Sequence, residues 1–473
     1  MTVRSAVASA LAWLTLCAVT VTAALTPDQQ ECLRKAYRFE RRGWIYLHVE
    51  GDGAARGFQH GYLLAPEIAE VMRVHRRVWE YNSGMTWSWL VSRAGELMTP
   101  KVDAENLAEM DGIVAGMKAA GFETTRDEVV AYNAQLEFEG YWWPKEKKRL
   151  ADQHADAIQE RCSAFIATGS WTADRGVVMG HNTMFDFTEA VANVVIDLVP
   201  TQGQRILMQT QAGFIHSGTD FFVTSAGLVG CETTIGNFSS FDTNGVPEFV
   251  RFRRATQDAR TLSEWSTILR NGNNGGYANA WLLGDVNTGE IARLELGLKY
   301  VAYETTKDGY FAGSNVAENP ALLRLETERS PTDIRQSAAA RRVRWKQLLS
   351  QNRGRITTAS AQRFLADDFD VYLGRRNPGA RTLCGHFELD PAQFGGHAEP
   401  FTPSGTFDGK VVDTRLARQM RFIGRWGSAD GRAFHAASFL REHPQYDWQD
   451  GLLKDRPSQP WVEFQAGEHG AKR

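Results

Sequence analysis

The sequence predicts an α+β fold in which helices and strands are segregated, and three observations carry that reading. Apolar residues recur at helical spacing through 66–141, the texture changes at Cys162 to short branched and aromatic runs, and helices return only after several of those runs. Strict strand–helix alternation, the mark of a doubly wound parallel sheet, is absent. The 473 residues supply ample core, and 14 Trp with 25 Phe argue against long-range disorder.

Taken in order, residues 1–23 read as a signal peptide: Arg4 precedes an uncharged stretch over 5–26, which passes through the small residues Val21-Thr22-Ala23-Ala24. No later stretch approaches 18 consecutive apolar residues, so the mature chain is expected to be exported or periplasmic, with no stable membrane anchor. Residues 24–161 are expected to form a helical segment. Its stripes are Ile68, Val71, Met72, Val74, Val78 and Trp79, then Leu107, Met110, Ile113, Val114 and Met117. Ahead of them, Gly57-Phe58-Gln59-His60-Gly61 places two small residues four apart, which predicts close backbone packing in preference to a site. The charged run from Lys145 to Arg161 reads as a solvated helix face.

Residues 162–473 are expected to form the catalytic domain. Strands are predicted over 163–167, 176–180, 191–199, 205–209, 221–229, 280–284 and 291–296, and helices over 262–269, 337–349 and 358–365. The 53 basic and 56 acidic residues leave a formal charge of −3, so there is no basic field to collect nucleic acid. Once Cys17 leaves with the signal, four cysteines remain: Cys32, Cys162, Cys231 and Cys384. They contain no Cys-x-x-Cys, and the chain has no His-Glu-x-x-His, so neither a metal nor a cofactor is expected. One disulfide among the four is left open.

The usual nucleophile signatures fail: Gly-x-Ser-x-Gly, a papain-type cysteine context and a Walker loop are all missing. What stands out is Cys162 at the junction Glu160-Arg161-Cys162-Ser163-Ala164-Phe165. Cleavage between Arg161 and Cys162 would place an α-amine of pKa about 7.7–8.0 beside a thiol of about 8.5, so that one residue supplies both nucleophile and base. Acyl transfer then needs donors for the developing oxyanion, for which Asn side chains are natural candidates.

Five blocks now line up: Cys162-Ser-Ala-Phe; Gly180-His181-Asn182-Thr183-Met184; Gly227 to Asn237, containing Glu232-Thr-Thr-Ile-Gly-Asn237; Tyr277-Ala-Asn279-Ala-Trp281; and Asp408-Gly-Lys410-Val-Val-Asp413. In order and approximate spacing they resemble the phospholipase B-like family. The resemblance implies an N-terminal nucleophile hydrolase: a four-layer αββα sandwich that cuts itself between Arg161 and Cys162. It further implies Cys162 as nucleophile, His181 as its polar partner and Asn279 as oxyanion donor, with Thr234, Asn237 and Asn182 lining the site. Met184 stands where the family usually shows Trp. The chain resembles more loosely the penicillin acyltransferase-like and bile-salt-hydrolase-like branches.

Three functions compete. The first is a secreted acyl hydrolase cleaving ester or amide bonds of lipid-like substrates through a Cys162 thioester. The second is an amidase or acyltransferase on small N-acyl compounds, and the third a non-catalytic exported binding protein on the same scaffold. Retention of Cys162, His181 and Asn279 together favours the enzymes. Trp142, Trp143 and Phe185 are candidates either for a pocket or for the core.

Overall fold

The computed structural model describes residues 24–151, 162–191, 193–238, 240–391 and 399–470. The signal-peptide stretch, Arg161 and the bond joining Arg161 to Cys162 lie outside them. Two sheets dominate. In spatial order, the larger contains β1 (Tyr37–Arg41), β2 (Trp44–Gly51), β5 (Asn193–Pro200), β6 (Ile206–Gln211), β7 (Phe221–Thr224), β8 (Leu228–Thr234), β9 (Asn279–Asp285), β10 (Glu290–Leu296) and β11 (Val301–Thr306). The smaller contains β12 (Gly309–Gly313), β3 (Cys162–Thr168), β4 (Val178–Asp186), β15 (Ser404–Asp413), β16 (Arg421–Trp426) and β17 (Val462–Gln465). A short hairpin, β13 (Phe369–Asp370) with β14 (Arg375–Arg376), stands apart.

Side-chain alternation along the strands builds the layers. In β3, Ala164 and Ile166 face the larger sheet and pack in a shared core with Met179, Val195, Leu207, Val229, Cys231, Leu282 and Phe422. Phe165 and Ala167 face the other way, onto Trp345, Leu349, Ala361 and Phe364. Those four residues belong to two helices, Ser337–Gln351 and Thr358–Leu365. The outer face of the larger sheet, with Leu47, Ile196, Met208, Phe222 and Leu283, packs against the N-terminal helices and the pair Glu248–Asp258 and Leu262–Arg270. The order is helix, sheet, sheet, helix, the four layers that were expected. Because both faces of β3 are covered, all seven of its residues are buried.

The glycine pair packs as anticipated. We label the helices at that crossing α1 (Gly53–Leu63) and α2 (Ala104–Ala119). A Cβ added at Gly57 would lie 1.9 Å from the Glu109 carbonyl oxygen, and one at Gly61 would lie 2.2 Å from that of Ile113. Gly112 and Gly116 of α2 reciprocate, at 2.4 Å from Ala54 O and 2.3 Å from Phe58 O. The two backbones touch. At the same crossing the buried Glu109 carboxylate takes hydrogen bonds from Arg56 (2.8 Å) and Arg253 (3.0 Å), which ties both helices to Glu248–Asp258.

Two expectations need correction. The segment preceding Cys162 is not helical throughout, because Trp44-Ile-Tyr-Leu-His-Val alternates between the two cores and enters the larger sheet as β2, parallel to β5 from Ile45↔Val194 to Gly51↔Pro200. The predicted run 221–229 is two strands: it breaks at Gly227 (φ +85°), whose N–H donates to Thr224 O at 2.9 Å, and β7 pairs antiparallel with β8. Cys32, Cys162, Cys231 and Cys384 are all free thiols, so the disulfide left open is not formed. Among the described residues no helix is long and apolar enough to cross a membrane.

Candidate active site

Cys162 opens β3 and is buried, with Thr183 of β4 opposite it; Ser163 faces Asn182, and Ala164 faces His181. Residues directly opposite in an antiparallel pair share a face. Cys162, Thr183 and His181 therefore point between the sheets, and register alone brings thiol and imidazole together. The Cys162 Sγ, a His181 ring nitrogen and a Glu232 carboxylate oxygen all lie within 4.8 Å of one another.

The same alternation sends Asn182 to the opposite face. Its Nδ2 donates to the carbonyls of Leu365 and Leu383, both at 2.9 Å, while Ser163 Oγ accepts from Trp345 Nε1 at 2.9 Å. Asn182 thus anchors the helical layer, and its expected place in the site lining is corrected. Asn237 holds a left-handed turn (φ +55°), and its Oδ1 already accepts from Arg329 Nη2 at 3.0 Å.

Asn279 begins β9, where it stands opposite Thr234 of β8 and Leu296 of β10. Both polar atoms of its amide are buried, as is Thr234 Oγ1, and all three lack a hydrogen-bond partner among the described residues. A buried amide left unpaired costs roughly 1–3 kcal/mol, which a ligand oxygen at this position would offset. The Thr234 carbonyl accepts from Asn315 Nδ2 (2.7 Å), Asn315 Oδ1 accepts from Arg341 Nη2 (2.9 Å), and Arg341 Nη1 donates to the Cys162 carbonyl (2.7 Å). A single relay thus pins the backbone of both the nucleophile and Thr234.

Electrostatics set the resting protonation. Burial raises the Cys162 thiol well above its usual range, the Glu232 and Asp220 carboxylates add to this, and the Met184 backbone and the Lys410 ammonium oppose it. Burial and Lys410 push His181 well below the ordinary imidazole value, against the pull of the Glu232 backbone. These shifts favour a protonated thiol and a neutral imidazole. Tyr277 Oη donates towards two acceptors, Asp220 Oδ2 at 2.5 Å and Glu232 Oε1 at 2.9 Å. Burial first, and then the Asp220 carboxylate, push Glu232 well above the usual carboxylate range. Two buried carboxylates this close do not both ionise.

Lys410 is fully buried between the sheets, 2.6 Å from Asp408, and donates to Thr183 and Gln209. Asp408 also accepts from Asn193 Nδ2 at 3.0 Å and Gln209 Nε2 at 2.6 Å, which compensates the buried pair. Lys410 thus places its Nζ beside Thr183, the residue opposite Cys162.

The cavity at Cys162 is lined by Gln135, Leu136, Thr183, Met184, Phe185, Gln211, Asp220, Tyr277 and Phe407, and it has room for about one water molecule. Phe185 lines it, whereas Trp142 and Trp143 fill the helical core. Sequence reasoning assigned no role to Glu232, Asp220, Tyr277, Arg341 or Lys410. Glu232 and Lys410 did carry a signal, as ionisable residues inside two of the five sequence blocks; Asp220 and Arg341 carried none.

The family model "Phospholipase B" matches residues 104–301. An uncharacterized protein of Archaeoglobus fulgidus is 24% identical over 51% of this chain and 41% of its own length. The human protein phospholipase B-like 1 is 23% identical over 46% of this chain and 42% of its own. The chain thus spans less than half the length of these curated relatives. Among solved structures, a mutant conjugated bile acid hydrolase of Clostridium perfringens aligns at a TM-score of 0.34 and 9% identity, over 56% of this chain and 89% of that one. The stretch matched by the family model, which holds Cys162, His181, Glu232 and Asn279, is similar to the phospholipase B-like proteins.

Proposed function

We propose that the chain is an exported cysteine acyl hydrolase that becomes active when the bond before Cys162 is cut, and that it cleaves ester or amide bonds of lipid-like acyl substrates. The observation that carries this reading is the meeting of Cys162 Sγ with His181 and Glu232 at the buried head of β3. In the uncut chain, burial and the Glu232 and Asp220 carboxylates hold the thiol above its usual range. A free α-amine at Cys162 changes that, because it takes the thiol proton directly or through water. The thiolate then attacks the acyl carbon, and charge develops on the carbonyl oxygen. Asn279, whose amide is buried and unpaired, is the donor proposed for it. The protonated amine returns its proton to the leaving alcohol or amine, and water hydrolyses the thioester by the same steps in reverse roles.

The cavity with room for about one water cannot hold an acyl chain, so cleavage and a widening of the pocket go together in this reading. Its lining mixes Leu136, Met184, Phe185 and Phe407 with polar groups. That suits an apolar acyl portion with a polar head, and an amidase on small N-acyl compounds is the alternative. Denaturing electrophoresis of the mature protein tests the activation step: two fragments divided at Cys162 support it, and one intact chain in an active preparation contradicts it. A hydrolysis screen of phospholipids, N-acyl amino acids, acyl amides and penicillins, with Cys162→Ala as blank, tests the substrate class. Turnover confined to the penicillins would replace the lipid-like reading with the amidase one.

A further inference from the structure

A second cluster of chemistry-bearing side chains lies on the far side of the smaller sheet, where Cys384 packs with the helical layer. The chain turns at Gly385 (φ +61°), and Cys384 and His386 on either side of it approach the loop that follows β16. Cys384 Sγ is 3.2 Å from Ser428 Oγ, and His386 Nε2 is 3.2 Å from Asp430 Oδ2. The sulfur, a ring nitrogen and an Asp430 oxygen all fall within 4.8 Å of one another. On the other side of the ring, Nδ1 lies 2.8 Å from Glu388 Oε1.

We propose that Cys384 Sγ, His386 Nε2 and Asp430 form a three-ligand zinc site with water in the fourth position. Glu388 accepts from Nδ1–H and fixes the ring so that Nε2 faces Asp430 Oδ2 at 3.2 Å and Ser428 Oγ at 3.3 Å; a carboxylate behind the imidazole is how ligating histidines are oriented. The nitrogen–oxygen separation suits one edge of a tetrahedron whose metal–ligand bonds are about 2.0–2.2 Å. A thiolate, imidazole and carboxylate set selects zinc over magnesium or calcium. Ser428 Oγ donates to Asp430 Oδ1 at 2.8 Å and steadies that ligand. The Asp430 side chain is 19% exposed and offers the ion a way in from solvent. On binding, the Cys384 thiol and the His386 Nε2–H both release their protons to solvent, and the freed sulfur and nitrogen lone pairs are shared with the metal. The sequence showed no metal pattern because the ligands are a Cys-x-His pair and an aspartate from a separate loop. The site would also brace the catalytic cavity from behind: Gly385 O accepts from Thr406 N at 2.9 Å, and Gly385 packs against Met184, a residue of the cavity wall.

The test uses the full mature protein freed of metal by chelation and titrated with Co²⁺, then with Zn²⁺. One equivalent of Co²⁺ should give a thiolate-to-cobalt charge-transfer band that Zn²⁺ bleaches, and Zn²⁺ should raise the Tm. Cys384→Ser should lose the band and Cys162→Ala should keep it. Asp430→Asn, at a partly exposed position that the fold tolerates, should weaken Co²⁺ binding by at least about tenfold. A wild-type protein with no thiolate band overturns the proposal and leaves the cluster a hydrogen-bond network. A band that survives Cys384→Ser, one that vanishes in Cys162→Ala, or unchanged affinity in Asp430→Asn does the same.

Discussion

At Cys162 the chemistry depends on what stands behind the nucleophile. Cys162→Ala should give a folded chain that stays uncut and hydrolyses nothing, read by electrophoresis and turnover; processing of the purified variant would show that another group makes the cut. The base can be assigned by pH. If the α-amine is the base, activity rises with pH through an apparent pKa shared by amine and thiol. His181→Asn then lowers the plateau and leaves the rising limb in place, and loss of the limb would move the base to His181. Glu232 supports a separate expectation. Its folded-state value is raised above the ordinary 4.5, so the folded protein binds a proton that the unfolded chain releases. Stability from this group is full below the ordinary 4.5 and falls as pH rises from there through the raised folded-state value, by up to about 1.4 kcal/mol per pH unit. Glu232→Gln should flatten that fall, measured as denaturation midpoints across pH 5 to 8. Cys162 was legible because it sits where the sequence texture changes. The Asn182 assignment failed because a block of letters does not tell which face an alternating strand presents.

At the scale of elements, the α1–α2 crossing is the sharpest packing constraint. Gly57→Ala gains roughly 1 kcal/mol of helix propensity, yet its methyl carbon would meet the Glu109 carbonyl oxygen at 1.9 Å, a backbone atom that cannot rotate away. The helices must separate, at a net loss of about 3 kcal/mol or more. Gly84→Ala, with φ +71° and nothing within 4 Å, provides the control, at about 1–2 kcal/mol for the left-handed backbone alone. Equal losses of Tm in the two variants would contradict the argument. The spacing of Gly57 and Gly61 announced this crossing. The entry of β2 was harder to read, because a strand buried on both faces lacks the polar–apolar alternation by which half-buried strands are recognised.

Across the whole molecule, the β2–β5 pairing spans the proposed cut. The seven-pair ladder from Ile45↔Val194 to Gly51↔Pro200 joins a strand that precedes Cys162 to one that follows it. Trp44 and Tyr46 fill the core between the sheets alongside Phe422 and Phe464. Fragments produced by cleavage should therefore elute together in native size exclusion and separate only in denaturant; separation without denaturant would mean that the shared sheet does not hold them. The layer order was readable from the segregation of helices and strands, whereas this pairing was not, since contacts far apart in sequence leave no local pattern.

Under the proposed cut, that shared sheet alters the thermodynamics of the protein. Before the cut, β2 finds β5 within one molecule, at an effective concentration set by the connecting chain. After it, the same pairing is a bimolecular reaction, so the melting temperature should depend on protein concentration and dilution should favour dissociation. Refolding from denaturant would become second order and compete with aggregation of exposed strand edges. An enzyme activated in this way would be assembled while its chain is whole and would lose the easy route back, its working lifetime governed by how slowly it comes apart.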